Sequence, residues 1–246
     1  MARPQSSLNS MDRLAKIEKI IPGGTSTNAK SPSRLAPPIT PNFAVSAAGA
    51  EFIDDDGRNW IDCDMGLAAV VWGHARTEID DAVISQIRKG VLFSAPPMLE
   101  GEAAELILDR LQEFAALRFV KTGSDAVSAA VRVARAATGR TDIIIGTYHG
   151  WHDWAIYPFY GAATGVPAQV GQLTRKLPEE TAAATRLLLD ADVAAVVVCP
   201  EQWEPEQLKE VVQLVRANGS IVIFDEVKSG LRVGPKGVWH KINIIP

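Results

Sequence analysis

Two acidic residues directly follow a run of apolar β-formers in the last tenth of the chain. Ile221 to Phe224 suit a strand covered on both faces, as strands of parallel sheets are, and Asp225 and Glu226 come next. Ligands of open α/β sheets bind beyond the carboxyl ends of the strands, so Asp225 is placed to meet a small molecule. The alternative is that Asp225 only begins a turn.

A second feature with chemical potential is a glycine turn between a predicted strand and a predicted helix. A strand at residues 117–120 runs into Lys121-Thr122-Gly123-Ser124, and a helix is predicted at residues 125–137. Unpaired N–H groups and the positive end of the helix dipole favour an anion there, so a phosphate would fit. Thr122 and Asp125 also have capping-box spacing, which needs no ligand, and both interpretations can hold together. The turn matches neither a Walker A sequence nor G-x-G-x-x-G, which argues against a nucleotide-binding protein.

The next predicted strand, residues 142–145, is followed by a segment rich in aromatic and histidine side chains, GTYHGWHDW. Aromatic rings at a strand end can stack on a flat heterocycle, and an aromatic core beneath a loop is the alternative. A zinc site from His149, His152 and Asp153 is disfavoured, because three ligands so close together in a loop converge poorly. A Ser-His-Asp hydrolase lacks support, because no G-x-S-x-G sequence occurs.

Three strand ends therefore offer a phosphate site, an aromatic surface and a carboxylate. A planar, phosphorylated heterocycle with a ring nitrogen uses all three, and pyridoxal 5'-phosphate has these parts. Asp225 would keep the ring nitrogen protonated, because a neighbouring anion raises the pKa of a cationic acid. The protonated ring is the electron sink for carbanion chemistry.

The remaining pattern predicts an α/β fold that brings these strand ends to one edge. Strands at residues 117–120, 142–145, 193–198 and 221–224 alternate with helices at 125–137, 179–189 and 205–217, which indicates a mainly parallel sheet. Nearer the amino terminus we predict helices at 11–20, 77–89 and 99–111, the second of them facing the core. A hairpin of residues 43–53 and 59–63 and an extended loop at residues 25–41 complete the prediction.

Composition limits the class of protein. The 246 residues are 47% hydrophobic and 22% charged, which is ordinary for a globular chain, and the net charge of −4 gives no basic surface for nucleic acid. No apolar run is long enough for a membrane span, so we expect a cytoplasmic protein that acts on a small molecule. Cys63 and Cys199 show no metal spacing and predict no disulfide framework.

Several segments resemble one family, the class III pyridoxal-phosphate aminotransferases, and most closely their glutamate-1-semialdehyde aminomutase branch. The segments, in chain order, are IPGG, GAEFIDDDGRNWID, WGHARTEIDDAV, RFVKTGSDAVSAAVRVARAATGR, YHGWHDW and IVIFDEVKSGLRVG. The resemblance implies fold type I, with a partial small domain at residues 1–70 and a cofactor-binding large domain at residues 71–246. It also implies a small-molecule amino donor or acceptor and a homodimer in the full-length form.

The resemblance implies six contacts with pyridoxal 5'-phosphate: the phosphate at Gly123 and Ser124, one ring face at Tyr148 with His149 beside it, the ring nitrogen at Asp225 and the opposite face at Val227. Asp225 is the catalytic residue of this set.

Two departures from the family pattern change what we expect of the chain. The family usually carries an acid where Cys199 stands, followed here by Pro200 and Glu201, so either Glu201 compensates for that acid or its contact is lost. The lysine that bonds covalently to the cofactor follows the DEV segment by about forty residues in the family, and no residue of this sequence takes that place. We therefore expect a C-terminally truncated chain that could still hold the cofactor non-covalently. The alternative function is a non-catalytic protein that binds a partner or cofactor.

The lysines at the end of the chain are not predicted to replace the missing one. Lys228 lies three residues beyond Asp225, on the side of the ring nitrogen rather than of the aldehyde. Lys236 and Lys241 follow a glycine and proline turn, and we interpret all three as surface lysines.

Overall fold

A computed structural model describes residues 9–34, 39–161 and 165–246. The chain forms two compact units, Met1–Ala95 and Pro96–Pro246. The predicted domain boundary lies at residue 70 instead, and the assignment of residues 71–95 to a cofactor-binding domain stays a prediction. Among the described residues, no helix combines the length and apolar composition that a membrane span requires.

The first unit contains a small antiparallel sheet. Its strands β1 (Ala44–Ala48), β2 (Glu51–Asp54) and β3 (Asn59–Ile61) pair in sequence order. The prediction of one strand over residues 43–53 was wrong, because Gly49, at φ +58, turns the chain between β1 and β2. Glycine reaches this left-handed conformation without a steric penalty.

The segment predicted as an extended loop, residues 25–41, is only partly extended. Two short 3-10 helices, Asn28–Lys30 and Pro32–Arg34, interrupt it, and residues 35–38 lie outside the described residues. Before it, the predicted first helix is present as α1 (Ser10–Glu18). Asn9 begins α1, since its side chain accepts a hydrogen bond from the backbone N–H of Asp12.

Two helices follow, and neither of them has a fully buried side chain. Helix α2 (Thr77–Lys89) has the predicted bounds, and α3 (Met98–Arg110) is shifted by one residue from its prediction. The expectation that α2 faces a core was wrong, because Ile79, Val83 and Ile87 are exposed. Spacing predicted the helix correctly, but burial needs a covering element, and the described residues supply none for this face.

The second unit is built on a parallel four-stranded sheet. After α4 (Gly123–Thr138), the elements are β4 (Asp142–Ile145), α5 (Asp153–Tyr160), α6 (Ala168–Gly171), β5 (Thr174–Lys176), α7 (Ala182–Leu188), β6 (Val193–Val198), α8 (Pro205–Ala217), β7 (Ile221–Phe224) and α9 (Val238–Lys241). The strand order is β5-β4-β6-β7, and every pair is parallel. The predicted bounds of β4, β6, β7 and α8 are confirmed.

The core lies on both faces of this sheet. Every residue of β6 is between 0% and 1% exposed. On one face, Ile144 and Val196 pack with residues of α8, and on the other, Ile143 and Val197 pack with Val127 of α4. A strand covered on both faces has no polar side, which explains the continuous apolar runs in β4 and β6.

The predicted strand at residues 117–120 was wrong. Phe119 and Val120 are exposed, and no strand of the described residues pairs with this segment. An apolar run becomes a strand only where a neighbour completes its hydrogen bonds. Sequence inspection missed β5, which is short and polar, and α5, which contains Pro158.

Replacement of Ile144 by alanine tests the position of the core. Ile144 is 0% exposed, so Ile144→Ala should lower the free energy of unfolding by about 2–5 kcal/mol, through lost transfer energy and the cavity left behind. Urea denaturation measures this change. Leu187 in α7 is 85% exposed, and Leu187→Ala, the control, should change stability by less than about 0.5 kcal/mol. Equal losses in the two variants would contradict the assigned core.

Candidate cofactor-binding site

A cavity of about 410 Å³ lies in the second unit, where the segments that follow β4, β6 and β7 meet the start of α4. Its lining includes all six residues predicted to form a site: Gly123, Ser124, Tyr148, His149, Asp225 and Val227. The other lining residues are Thr147, Gly150, Cys199, Glu201, Gln202 and Lys228. The structure therefore brings the three predicted loops to one pocket.

The start of α4 forms one wall of the pocket. Thr122 Oγ1 accepts a hydrogen bond from the Asp125 N–H at 3.1 Å, and the Asp125 carboxylate accepts one from the Thr122 N–H at 3.1 Å. The predicted capping box is present, and it turns the Asp125 carboxylate back onto the helix start. Gly123 and Ser124 occupy the first turn, where backbone N–H groups have no acceptor within the helix, so this wall suits an anion.

Two glycines allow the three loops to touch. A Cβ on Gly123 would lie 2.8 Å from Val227 Cγ1, and a Cβ on Gly150 would lie 2.6 Å from Ser124 Oγ. Gly150 also has φ +113, which other residues rarely adopt. The Trp151 N–H donates to Ser124 Oγ at 3.3 Å, which ties the loop after β4 to α4. Sequence analysis missed the role of Gly150, for which the only signal was a glycine between two aromatic residues.

The carboxylate of Asp225 is fixed from two sides at the floor of the pocket. The backbone N–H of Asp225 donates a hydrogen bond to the Val198 carbonyl at 2.8 Å, which continues the pairing of β7 with β6 by one residue. Its Oδ2 lies 2.8 Å from Nδ1 of His149, and its Oδ1 accepts a hydrogen bond from the Val227 N–H at 3.2 Å. The side chains of His149 and Asp225 are 0% and 10% exposed, so the pair is largely shielded from water.

Tyr148 and Val227 form the open part of the pocket. They are 56% and 59% exposed, so an aromatic ring and an aliphatic side chain are accessible to a ligand. His149, in contrast, is buried and contacts Asp225. Within the described residues, its second ring nitrogen, Nε2, is buried without a hydrogen-bond partner.

The second half of the aromatic segment packs against α4. His152 Nδ1 lies 2.8 Å from Ser128 Oγ, and Trp154 Nε1 donates to the same hydroxyl at 2.8 Å. His149 and His152 therefore point to different partners and do not form the shared metal site that the sequence suggested as an alternative. The aromatic-core interpretation applies to this half of the segment only.

Glu226, next to Asp225, has a structural role. Its Oε1 accepts a hydrogen bond from the Trp239 N–H at 2.8 Å, and its Oε2 accepts one from the Val238 N–H at 2.9 Å. Glu226 thereby satisfies the first N–H groups of α9, which have no acceptor within that helix. Of the two adjacent acids, Asp225 therefore faces the pocket and Glu226 stabilises the start of α9.

Cys199 lies next to the buried histidine. Its Sγ is 3.9 Å from His149 Nδ1, and the thiol is free and buried. Burial first, and then the nearby carboxylates, raise the pKa of Cys199 well above its usual range. Glu201, the acid that follows, also lines the pocket, and its Oε2 accepts a hydrogen bond from Ser229 Oγ at 3.2 Å. A thiol lies beside the pocket floor, at the position where the family motif predicted an acid.

Thiol titration tests this environment. The thiolate is the nucleophile, so a raised pKa leaves little of it near pH 8, and burial restricts access further. We expect an aromatic disulfide reagent to modify the exposed Cys63 quickly and to reach Cys199 only after unfolding in urea. In Cys63→Ser, the control, the native chain should have no fast thiol. A fast thiol in that variant would show that Cys199 is accessible.

Comparison with known proteins identifies the family. The second unit has a parallel α/β sheet with a pocket at its carboxyl edge. The family model described as Aminotransferase class-III matches residues 36–243 of the chain. A glutamate-1-semialdehyde 2,1-aminomutase of Methanothermobacter thermautotrophicus is 33% identical over 97% of this chain and 60% of its own. The chain belongs to the class III aminotransferase family, as the sequence motifs predicted.

Solved structures agree with this assignment. An omega-transaminase from Sphaerobacter thermophilus is 28% identical with a TM-score of 0.86, over 98% of this chain and 60% of its own. A transaminase with PLP bound is 29% identical with a TM-score of 0.85, over 97% of this chain and 60% of its own. This chain thus spans about 60% of the length of these relatives.

The residues that line the pocket fit pyridoxal 5'-phosphate, the cofactor of class III aminotransferases. A helix start that suits an anion, accessible aromatic and aliphatic side chains and a shielded carboxylate all face one cavity. Gly123 and Gly150 both line this cavity, and neither position has room for a Cβ.

Proposed function

We propose that this chain forms the phosphate and ring side of a pyridoxal-phosphate site in an aminotransferase or aminomutase. The observation that carries the proposal is the meeting of Ser124, Tyr148 and Asp225, from three distant segments, around one cavity of about 410 Å³. When bound, the cofactor supplies an electron sink for chemistry at an amino-bearing carbon. The substrate would be a small amino acid or amino sugar.

The phosphate would bind at the start of α4. The backbone N–H groups of Gly123 and Ser124 and the hydroxyl of Ser124 are the donors. The capping box supports this assignment, because the Asp125 carboxylate is already bonded to the Thr122 N–H and is turned away from an incoming anion. Binding of a dianion there needs no rearrangement of the helix.

The ring would lie between Tyr148 and Val227 with its nitrogen toward Asp225. The Asp225 carboxylate would accept the ring N–H and keep it protonated, because an anion close to a cationic acid raises that acid's pKa. His149 would position this carboxylate through the hydrogen bond between Nδ1 and Oδ2. Tyr148 would stack on one face and Val227 would pack on the other.

Partners and location extend the proposal to the full-length protein. We propose a cytoplasmic homodimer that exchanges amino groups with a small-molecule donor or acceptor. Exposed apolar side chains on α2, among them Ile79 and Val83, support association with another surface. Lys228 lines the pocket and is exposed, and in our proposal it forms no covalent bond with the cofactor.

Replacement of Asp225 tests the ring end of the site. Asp225→Asn should weaken pyridoxal-phosphate binding by about 10- to 100-fold, because a charged hydrogen bond contributes about 1.5–3 kcal/mol. Equilibrium titration followed by the cofactor's absorbance measures the dissociation constant. Asp192 is an exposed aspartate before β6, and Asp192→Asn, the matched control, should bind as the parent chain does.

Three results would count against the proposal at this position. They are no saturable binding by the parent chain, equal losses in the two asparagine variants, or a borohydride-trapped adduct on Lys228. The same samples, supplied with an amino donor and a keto acid, test whether the 246 residues transfer an amino group by themselves.

Replacement of Ser124 tests the phosphate end. Ser124→Ala removes a hydroxyl donor, so it should weaken binding of pyridoxal phosphate by about tenfold, the loss expected for one hydrogen bond to an anion. Binding of pyridoxal, which has no phosphate, should stay unchanged and serves as the internal control. Equal weakening for both ligands would place Ser124 away from the phosphate.

A further inference from the structure

The thiol, imidazole and carboxylate at the pocket floor make up a set of metal ligands. Ligand atoms of His149, Cys199 and Asp225 all lie within 4.8 Å of one another. A thiolate, an imidazole nitrogen and a carboxylate oxygen are the donors that Zn²⁺ takes in proteins. Three protein ligands with a fourth position open to a cavity are typical of accessible zinc sites rather than closed structural ones.

The distances come close to those of a tetrahedral site. Bond lengths for zinc give a separation of about 3.4 Å between nitrogen and oxygen ligands and about 3.6 Å between nitrogen and sulfur ligands. His149 Nδ1 lies 2.8 Å from Asp225 Oδ2 and 3.9 Å from Cys199 Sγ. To admit the ion, the nitrogen–oxygen separation would lengthen by about 0.6 Å and the nitrogen–sulfur separation would shorten by about 0.3 Å, while Cys199 and Asp225 already lie within 4.8 Å of each other.

The charges around the trio also favour a cation. The ionisable groups with an electrostatic effect on the Cys199 thiol are three carboxylates and one ammonium: Asp225, Glu201, Glu180 and Lys228. The carboxylates raise the pKa of the thiol, and the same negative potential attracts a divalent ion. Burial limits competition from water, since Cys199 and His149 are 8% and 2% exposed.

We propose that His149, Cys199 and Asp225 bind a thiophilic divalent cation of the Zn²⁺ class, and that this cation competes with pyridoxal phosphate for the pocket. Competition follows because the metal would take the Asp225 carboxylate that the ring nitrogen needs. Only the competition rests on the proposed function, because the metal site depends on this chain's own side chains.

Proton release accompanies binding at these three side chains. The metal displaces the thiol proton of Cys199 to solvent, and the His149 ring takes the tautomer that carries its proton on Nε2, which leaves Nδ1 free to bind the ion. At least one proton is therefore released per ion. While the free thiol stays protonated, affinity should rise by about tenfold per pH unit for each proton released.

A cadmium titration tests the metal site directly. Cd²⁺ bound to a thiolate gives a charge-transfer band in the ultraviolet, which needs no cofactor and no activity. The exposed Cys63 is first removed, so that Cys63→Ser has Cys199 as its single thiol. We expect one Cd²⁺ per chain, a band that grows with pH, and no such response to Mg²⁺, which prefers oxygen ligands.

A second substitution assigns the band to the trio. In the Cys63→Ser background, Cys199→Ser should remove the band and weaken Cd²⁺ binding by at least about 100-fold, as loss of a direct ligand should cost no less than loss of a supporting contact. No band in the folded Cys63→Ser chain, or unchanged binding after Cys199→Ser, would overturn the site. If Cys199→Ser fails to fold, His149→Gln tests the same loss of affinity.

Competition between the metal and pyridoxal phosphate is tested separately. In Cys63→Ser, saturating Zn²⁺ should raise the apparent dissociation constant of pyridoxal phosphate in proportion to the metal concentration, and excess cofactor should remove the Cd²⁺ band. Simultaneous binding without interference would overturn the competition. A chain that gives the band but never binds pyridoxal phosphate would instead refute the proposed function and leave the metal site supported.

Discussion

The pocket depends on the parallel register of β4, β6 and β7. Strands β4 and β6 are largely buried between helices on both faces and β7 is partly buried there, so they cannot slide without moving apolar side chains out of the core. Their carboxyl ends therefore stay at one edge, and the residues that follow them meet there. The backbone hydrogen bond from the Asp225 N–H to the Val198 carbonyl extends this constraint by one residue beyond β7. It thereby fixes the residue whose carboxylate lies at the floor of the pocket.

Close backbone approach then converts a shared edge into a cavity. Gly123 and Gly150 have no space for a side chain, so α4 and the loops after β4 and β7 come into direct contact. The acids around this contact point in separate directions. Asp125 turns back to its helix, Glu226 caps α9, and Asp225 remains facing the pocket. This separation of the carboxylates supports the proposed placement of an anion at one end of the pocket and a cationic ring at the other.

The sequence predicted those structural features that depend on neighbouring residues in the chain, and it failed for features that depend on distant ones. The bounds of β4, β6 and β7 were predictable, because a strand that packs on both faces carries a continuous apolar run, as each of the three does over at least three residues. The run at residues 117–120 is apolar too, but whether it pairs depends on a neighbour that its own residues do not specify. Spacing likewise predicted α2 and said nothing about whether its apolar face would be covered.

Prediction of the site was limited in the same way, because contacts between distant residues could not be foreseen. Strand ends indicated that Ser124, Tyr148 and Asp225 could converge, and the structure brings them together. The hydrogen bond of His149 to Asp225 and the thiol beside it could not be predicted, because they join residues 76 and 50 positions apart through side-chain packing. Family motifs named His149 as a neighbour of the ring, which stays a prediction, and in the structure this buried side chain lies in hydrogen-bond contact with Asp225.

Cys199 changes the chemistry available at the pocket floor. A carboxylate at this position would add negative charge next to Asp225 and would act as a hard donor toward any ion. A thiol that stays protonated adds no charge, so Asp225 is the carboxylate that we propose as partner for a cationic ring nitrogen. The same thiol becomes a strong donor once a thiophilic metal displaces its proton. In the two proposals made here, the thiol at this one position lets a thiophilic metal and the cofactor compete for the Asp225 carboxylate.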